Sequence, residues 1–375
     1  MKRVSILVLV LCACFLPVAW GQRPAAKVRN WRQFHRRDMS RWNPYENVLN
    51  VHNVSKLQRQ WSYSTRRSVL SSPSVANGVV YVGSWDHNVY ALNASTGAKL
   101  WSYATGKAVD SSPAVANGVV YVGSDDHNVY ALNASTGQML WSYATGNRVH
   151  SSPAVANGVV YVGSDDHNVY ALNASTGQML WSYATSNQVE SSPAVTNGVV
   201  YVGSDDFNVY ALKAKTGAKL WSYATRGSVQ SSPAVANGFL YIGSDDHTVY
   251  ALDARTGANQ WGYSTGNPVH SSPALANGVV YVGSDDFNVY ALIARTGTKL
   301  WSYTTGWNVY SSPALAHGVV YVGSWDGNVY ALSANTGAKL WSYATGSYVH
   351  SSPAVANGVV YLGSDDRNVY AFGLK

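Results

Sequence analysis

The side chains best suited to chemistry recur at one position of a repeat. Asp110, His150, Glu190, Gln230, His270, Tyr310 and His350 stand 40 residues apart. A second variable series comprises Trp85, Asp125, Asp165, Asp205, Asp245, Asp285, Trp325 and Asp365, with His87, His127, His167, Phe207, His247, Phe287, Gly327 and Arg367 two places further on. Carboxylates and imidazoles at such spacing can hold a cation or relay a proton. Asp110, His150 and Glu190, on consecutive copies, are the set that could converge on one metal ion; the alternative is the polar rim of a channel. No catalytic residue is assigned. Aspartate pairs repeated with little change do not build one desolvated acid and base. No phosphate loop or nucleophile elbow is present.

These residues need a scaffold that brings equivalent positions together. Ser-Ser-Pro recurs at 71, 111, 151, 191, 231, 271, 311 and 351. In the copy 111–150, strands are expected at 113–116, 119–124, 129–134 and 139–145. Asn117-Gly118 is a hairpin signal, 125–128 makes a turn and Ser135-Thr136-Gly137 another. Four antiparallel strands per 40 residues describe a propeller blade. The stretch 351–375 supplies three strands and 56–65 a lone fourth, so the two ends share a blade. The expected fold is all-β: an eight-bladed propeller of four-stranded antiparallel blades, closed by the N-terminal strand in the last blade. Trp61, Trp101, Trp141, Trp181, Trp221, Trp261, Trp301 and Trp341 are expected to dock between blades as large buried rings.

Strands alternate direction in a meander, so both variable series lie on one face of the disc. Acids collect there, and Lys99, Lys213, Lys215, Lys219, Arg255, Arg295, Lys299 and Lys339 collect on the other. Such a dipolar disc can steer a charged partner. Asp86 and its equivalents read as turn formers. Trp85, Trp325, Trp307 and Tyr310 are expected on the acidic face and offer a carbohydrate surface as a further reading. Packing inner strands at about 10 Å gives a channel mouth roughly 25 Å across.

Residues 1–21 read as an export signal: Lys2 and Arg3 precede an apolar run, and Ala19 and Gly21 suit cleavage before Gln22. Leu11-Cys12-Ala13-Cys14 also resembles a lipobox, with Cys14 acylated on an outer-membrane lipoprotein. Both cysteines lie in this segment, so a chain cut at Gln22 carries no disulfide. Residues 22–55 form a basic arm, the source of most of the formal +7 charge, which could associate with an envelope. Residues 56–375 are the propeller. An exported chain whose basic excess sits in a short arm is not expected to bind nucleic acid. A secreted or periplasmic monomer is expected.

Ala91, Thr96, Gly97 and Trp101, repeated as Ala131, Thr136, Gly137 and Trp141, resemble the tryptophan-docking motif of pyrroloquinoline quinone (PQQ) repeat propellers. Asn30-Trp31-Arg32-Gln33-Phe34-His35, Asn43-Pro44-Tyr45-Glu46 and Asn53-Val54-Ser55-Lys56-Leu57 are similar to the start of quinoprotein-like domains. The resemblance spans about residues 30 to 375. Within that family, alcohol dehydrogenases hold PQQ and calcium in the channel, under adjacent cysteines and on blade-specific insertions that this chain lacks. Non-enzymatic, BamB-like members share the fold without the cofactor, and this branch fits better. The resemblance implies a scaffold without cofactor that binds a protein or small ligand on its variable face. A PQQ-dependent dehydrogenase using Asp110, His150 and Glu190 is the alternative.

Overall fold

The computed structural model describes residues 30–35 and 40–375. The export signal, Cys14 and the first part of the arm lie outside the described residues.

Eight sheets are arranged as blades of four strands from the axis outward; seven take those strands in sequence order, and the seventh blade carries Trp42–Asn43 as a fifth, innermost strand. The first blade comprises Ser74–Ala76, Val79–Ser84, Asn88–Asn93 and Lys99–Ala104, and its strands pair antiparallel throughout. In the copy 111–150 the strands fall at Ala114–Ala116, Val119–Gly123, Asn128–Asn133 and Met139–Ala144, within one residue of the spacing-based expectation. The short inner strand follows from Ser-Ser-Pro, because proline lacks the N–H that a longer ladder needs. Asn117 and Gly118 adopt φ of 49° and 78°, the positive values a two-residue hairpin turn requires. The last blade is completed as expected: Gln58–Ser64 pairs antiparallel with Asn368–Gly373 as its outermost strand.

Middle strands are buried on both faces because each blade packs against two neighbours. Val80, Val82, Val89, Ala91 and Leu92 are 0% exposed, and the other copies repeat this. Outer strands are locked sideways. Trp101 Nε1 donates to the Ala134 carbonyl at 2.9 Å, and Tyr81 Oη donates to the same carbonyl at 3.1 Å. Gly137 lets the indole lie flat, since a Cβ there would stand 2.7 Å from the Trp101 ring. Trp61, Trp141, Trp181, Trp221, Trp261 and Trp301 repeat the bond to the next blade's alanine, and Trp341 closes the circle on the Leu57 carbonyl.

The axis is held by serines. Ser71 Oγ donates to the Ser111 carbonyl at 3.1 Å and accepts from Gly83 N, while Ser72 N donates to Ser112 Oγ at 2.9 Å. The series continues until Ser351 and Ser352 return to Ser71 and Ser72. Blades bonded directly to one another sit closer at this level than the about 10 Å of face-packed sheets. The ring is therefore narrower than the sheet-spacing expectation.

The channel is also filled. Trp31 exchanges backbone bonds with Val75, Val115 N donates to the Arg32 carbonyl, and His35 Nε2 lies 3.4 Å from the Ser192 carbonyl. Leu275 N donates to the Ser40 carbonyl, and Trp42–Asn43 pairs parallel with Leu315 and Ala316. Residues 30–35 and 40–43 of the arm thus lie along the inside of the ring, and the inner strands they meet follow chain order. Arg41 is fully buried among Trp31, Phe34 and the carbonyls of Phe34, Ser312, Pro313 and Pro353. Burial pushes its guanidinium down to about 9, and the carbonyls and the two ring faces are what make the buried charge tenable. The arm closes the channel from the side opposite the variable series.

Candidate functional site

The mouth left open is built from the two variable series. Each residue before Ser-Ser-Pro stands four places ahead of an inner strand, and each turn between second and third strands lies beside it. The turns are rigid because Asp86 and its equivalents are used internally. Asp126 Oδ1 accepts from Asn128 N at 3.1 Å, and its Oδ2 accepts from Tyr130 Oη at 2.8 Å and from Gly106 N at 2.6 Å. That reading as turn formers accounts for this position and leaves the preceding one to face the axis.

His150 is the centre of one side. Its Nε2 lies 3.1 Å from Asp125 Oδ1 and 3.7 Å from Asp110 Oδ2; its Nδ1 lies 3.5 Å from Asp165 Oδ2 and 3.7 Å from Glu190 Oε1. Asp110, His150 and Glu190 do meet, but on opposite edges of one imidazole. Two triads result, Asp110-Asp125-His150 and His150-Asp165-Glu190, each compact enough for a cation. Burial pushes the His150 pKa down, yet Asp125, Glu190, Asp165 and Asp110 outweigh it and hold it at about 11. The imidazolium itself is the cation among these carboxylates, and a metal would have to expel its proton.

The next sector has less compensation. Asp205 is pushed up to about 6, first by burial and then by Glu190, with Asp245 and Asp165 adding to it. Gln230 offers only a 3.5 Å contact to Asp205 Oδ2. Asp165 is 5% exposed, and among the described residues its Oδ1 has no hydrogen-bond partner; the same holds for the buried Oδ1 of Asp205 and Asp285.

The remaining side is aromatic. His270, held between Asp245 and Asp285 at 3.2 and 3.1 Å, stacks on Tyr310 at 4.4 Å; Tyr310 stacks on Trp325 at 4.5 Å, and Trp325 on Tyr348 at 5.6 Å. His350 lies against Trp325 and 3.2 Å from Asp365. Trp85 donates from Nε1 to Asp110 and is 40% exposed, while Trp307 is 50% exposed beside Tyr348. Trp325 is thus sandwiched, and of the aromatic residues expected on this face Trp307 is the most exposed. Tyr348 is an addition to the residues singled out in the sequence. Its signal is that the equivalent places hold Ser68, Ala108, Arg148, Gln188, Ser228, Pro268 and Asn308.

Two family models match the chain. One, described as the β-propeller of the β-alanine-activating enzyme, covers residues 105–319; the other, described as outer membrane protein assembly factor BamB, covers 50–149 and 304–375. No curated protein matches by sequence. Among solved structures, BamB from Moraxella catarrhalis superposes with a TM-score of 0.74 at 20% identity, covering 85% of this chain and 100% of that one. The quinohemoprotein alcohol dehydrogenase of Comamonas testosteroni gives 0.80 at 18% identity, covering 92% and 80%. A computationally designed protein, Ika8, gives 0.77 at 20%, covering 84% and 100%. At such identities these structures share the fold and nothing more is carried over. The model matched over more than half the chain, at residues 105–319, places the protein in the family of the β-alanine-activating enzyme's β-propeller, and the blades on either side match the BamB model.

Proposed function

We propose that the protein is an exported, non-catalytic binding propeller of the cell envelope or exterior that receives a cationic group in the mouth of its axis. The group is an organic ammonium or guanidinium, borne by a small ligand or by a partner protein. The observation that carries this reading is the run of buried carboxylate oxygens without partners at Asp165, Asp205 and Asp285, facing an aromatic stack. A buried carboxylate oxygen left without a partner is costly even where its fellow oxygen is paired, and a cation lowers that cost. Aromatic faces add cation–π attraction.

The dehydrogenase alternative is disfavoured by the donor chemistry of the mouth. PQQ is a planar polycarboxylate, and a wall of carboxylates repels it. The flat surface of Trp325 is already covered by Tyr310 and Tyr348. These residues do not fit that cofactor.

Spermidine is a suitable probe for a thermal-shift titration at constant ionic strength. We expect it to raise the Tm, and the Asp165→Asn/Asp205→Asn variant to lose that rise. A flat response, or a rise that persists in the variant, would overturn the reading. Alcohol-dependent dye reduction by protein loaded with PQQ and calcium would overturn its non-catalytic part. Export is checked by the N-terminus of the native protein, expected at Gln22.

A further inference from the structure

The eight copies differ least on the face opposite the mouth, which makes one cluster of departures there informative. Seven copies carry asparagine before the hairpin glycine; the eighth carries His317, at φ 44°. The turn that follows its third strand contains Asn335, where the other copies have serine, lysine or arginine. Both residues line one open basin of about 680 Å³, together with Asn277, Thr336 and the arm residues Trp42 and Val51. The volume is within the range of ligand sites, roughly 300 to 1,000 Å³.

Its chemistry is narrow. Among the described residues the lining holds no carboxylate, lysine or arginine, although Arg295 and Lys339 stand on the same face. Neither an anion nor a cation finds a counter-charge in it. What it presents is an indole, a proline ring and an isopropyl from the arm, two primary amides, an imidazole, and the hydroxyls of Ser333, Thr336 and Tyr281, the last of which donates to the Ala334 carbonyl. Amides and hydroxyls both donate and accept, and an indole offers a flat apolar face. A pyranose has the matching pair of surfaces, a patch of C–H groups and a ring of hydroxyls.

We infer that this basin is a binding site for a neutral saccharide, with Trp42 as the platform under a sugar ring and Asn277, His317, Asn335 and Thr336 as partners of its hydroxyls. The basin lies where the arm residues Trp42, Pro44 and Val51 cover the sixth and seventh blades. It is independent of the cation reading, being on the other face.

The full mature chain can be titrated calorimetrically with maltotriose, cellotriose and chitotriose. At least one should bind. Returning the two departures to the repeat with His317→Asn/Asn335→Ser keeps residues that the same turns accept elsewhere, so folding is preserved. The replacement amide and hydroxyl sit on shorter side chains and are drawn back from the sugar's hydroxyls, which should weaken binding about tenfold or more. Trp307→Ala and Asp205→Asn, on the opposite face, should leave it unchanged. No heat from any of the three sugars at roughly millimolar concentrations overturns the proposal. So does unchanged affinity in the double variant, or loss of binding in Trp307→Ala.

Discussion

At the residue scale the mouth is a balance between carboxylates and too few bases. His150 serves four acids, whereas Asp205 is left with a long contact to an amide. A carboxyl raised in the fold, here to about 6 from 3.8, is protonated more readily folded than unfolded. Its ionisation therefore costs stability as pH rises through that window, and the cost persists above it. Asp205→Asn removes the cost. After allowance for solvent screening the gain is on the order of 1 kcal/mol, or about 2 °C in Tm, at pH 7.5. Below about pH 3.8 both states are protonated and the variant should melt with the parent. Calorimetric melting at the two pH values checks this, and an equal gain at both would refute the electrostatic account.

At the scale of the element, seven of the eight blade junctions carry an indole lying over a glycine. Gly137 and Gly118 both have positive φ, but only at Gly137 would a Cβ collide, 2.7 Å from the Trp101 ring; at Gly118 nothing lies within 4 Å. Gly118→Ala should cost about 1 kcal/mol, the backbone cost alone. Gly137→Ala adds displacement of the buried tryptophan and should cost about 3 kcal/mol. Chemical denaturation of both variants measures the difference. Equal losses would show that the tryptophan lock contributes little. These fastenings were legible in the sequence, because Thr-Gly and tryptophan recur at fixed offsets. The stacking of His270, Tyr310, Trp325 and Tyr348 was not, because three successive links and one turn supply it and no single copy contains it.

For the whole molecule, closure is the controlling feature. Deleting 56–65 removes Gln58–Ser64 and Trp61, exposing the edge of Asn368–Gly373 and the docking surface around Gly97. Bare edges of this kind pair with other chains. The deleted form should aggregate on purification or melt far below the parent, as light scattering during a thermal ramp would show. A monomer with unchanged Tm would contradict the closed ring.

Strand order, blade number and the closing strand were set by local patterns: a 40-residue period, two-residue turns and alternating burial, each acting within a single copy. The serine ring and the tryptophan docking follow from the same regularity. Only the tertiary structure decided the rest, since it depends on where the ring carries equivalent positions. Residues 110, 125, 165 and 190 meet at one imidazole because blades bonded at the axis bring their turns within reach. The path of residues 30–35 and 40–46 along the channel has no periodic signature at all. It follows from buried backbone needing partners: the inner edges of the blades present N–H and carbonyl groups, and the described arm residues pair with those at Val75, Val115, Leu275 and Leu315.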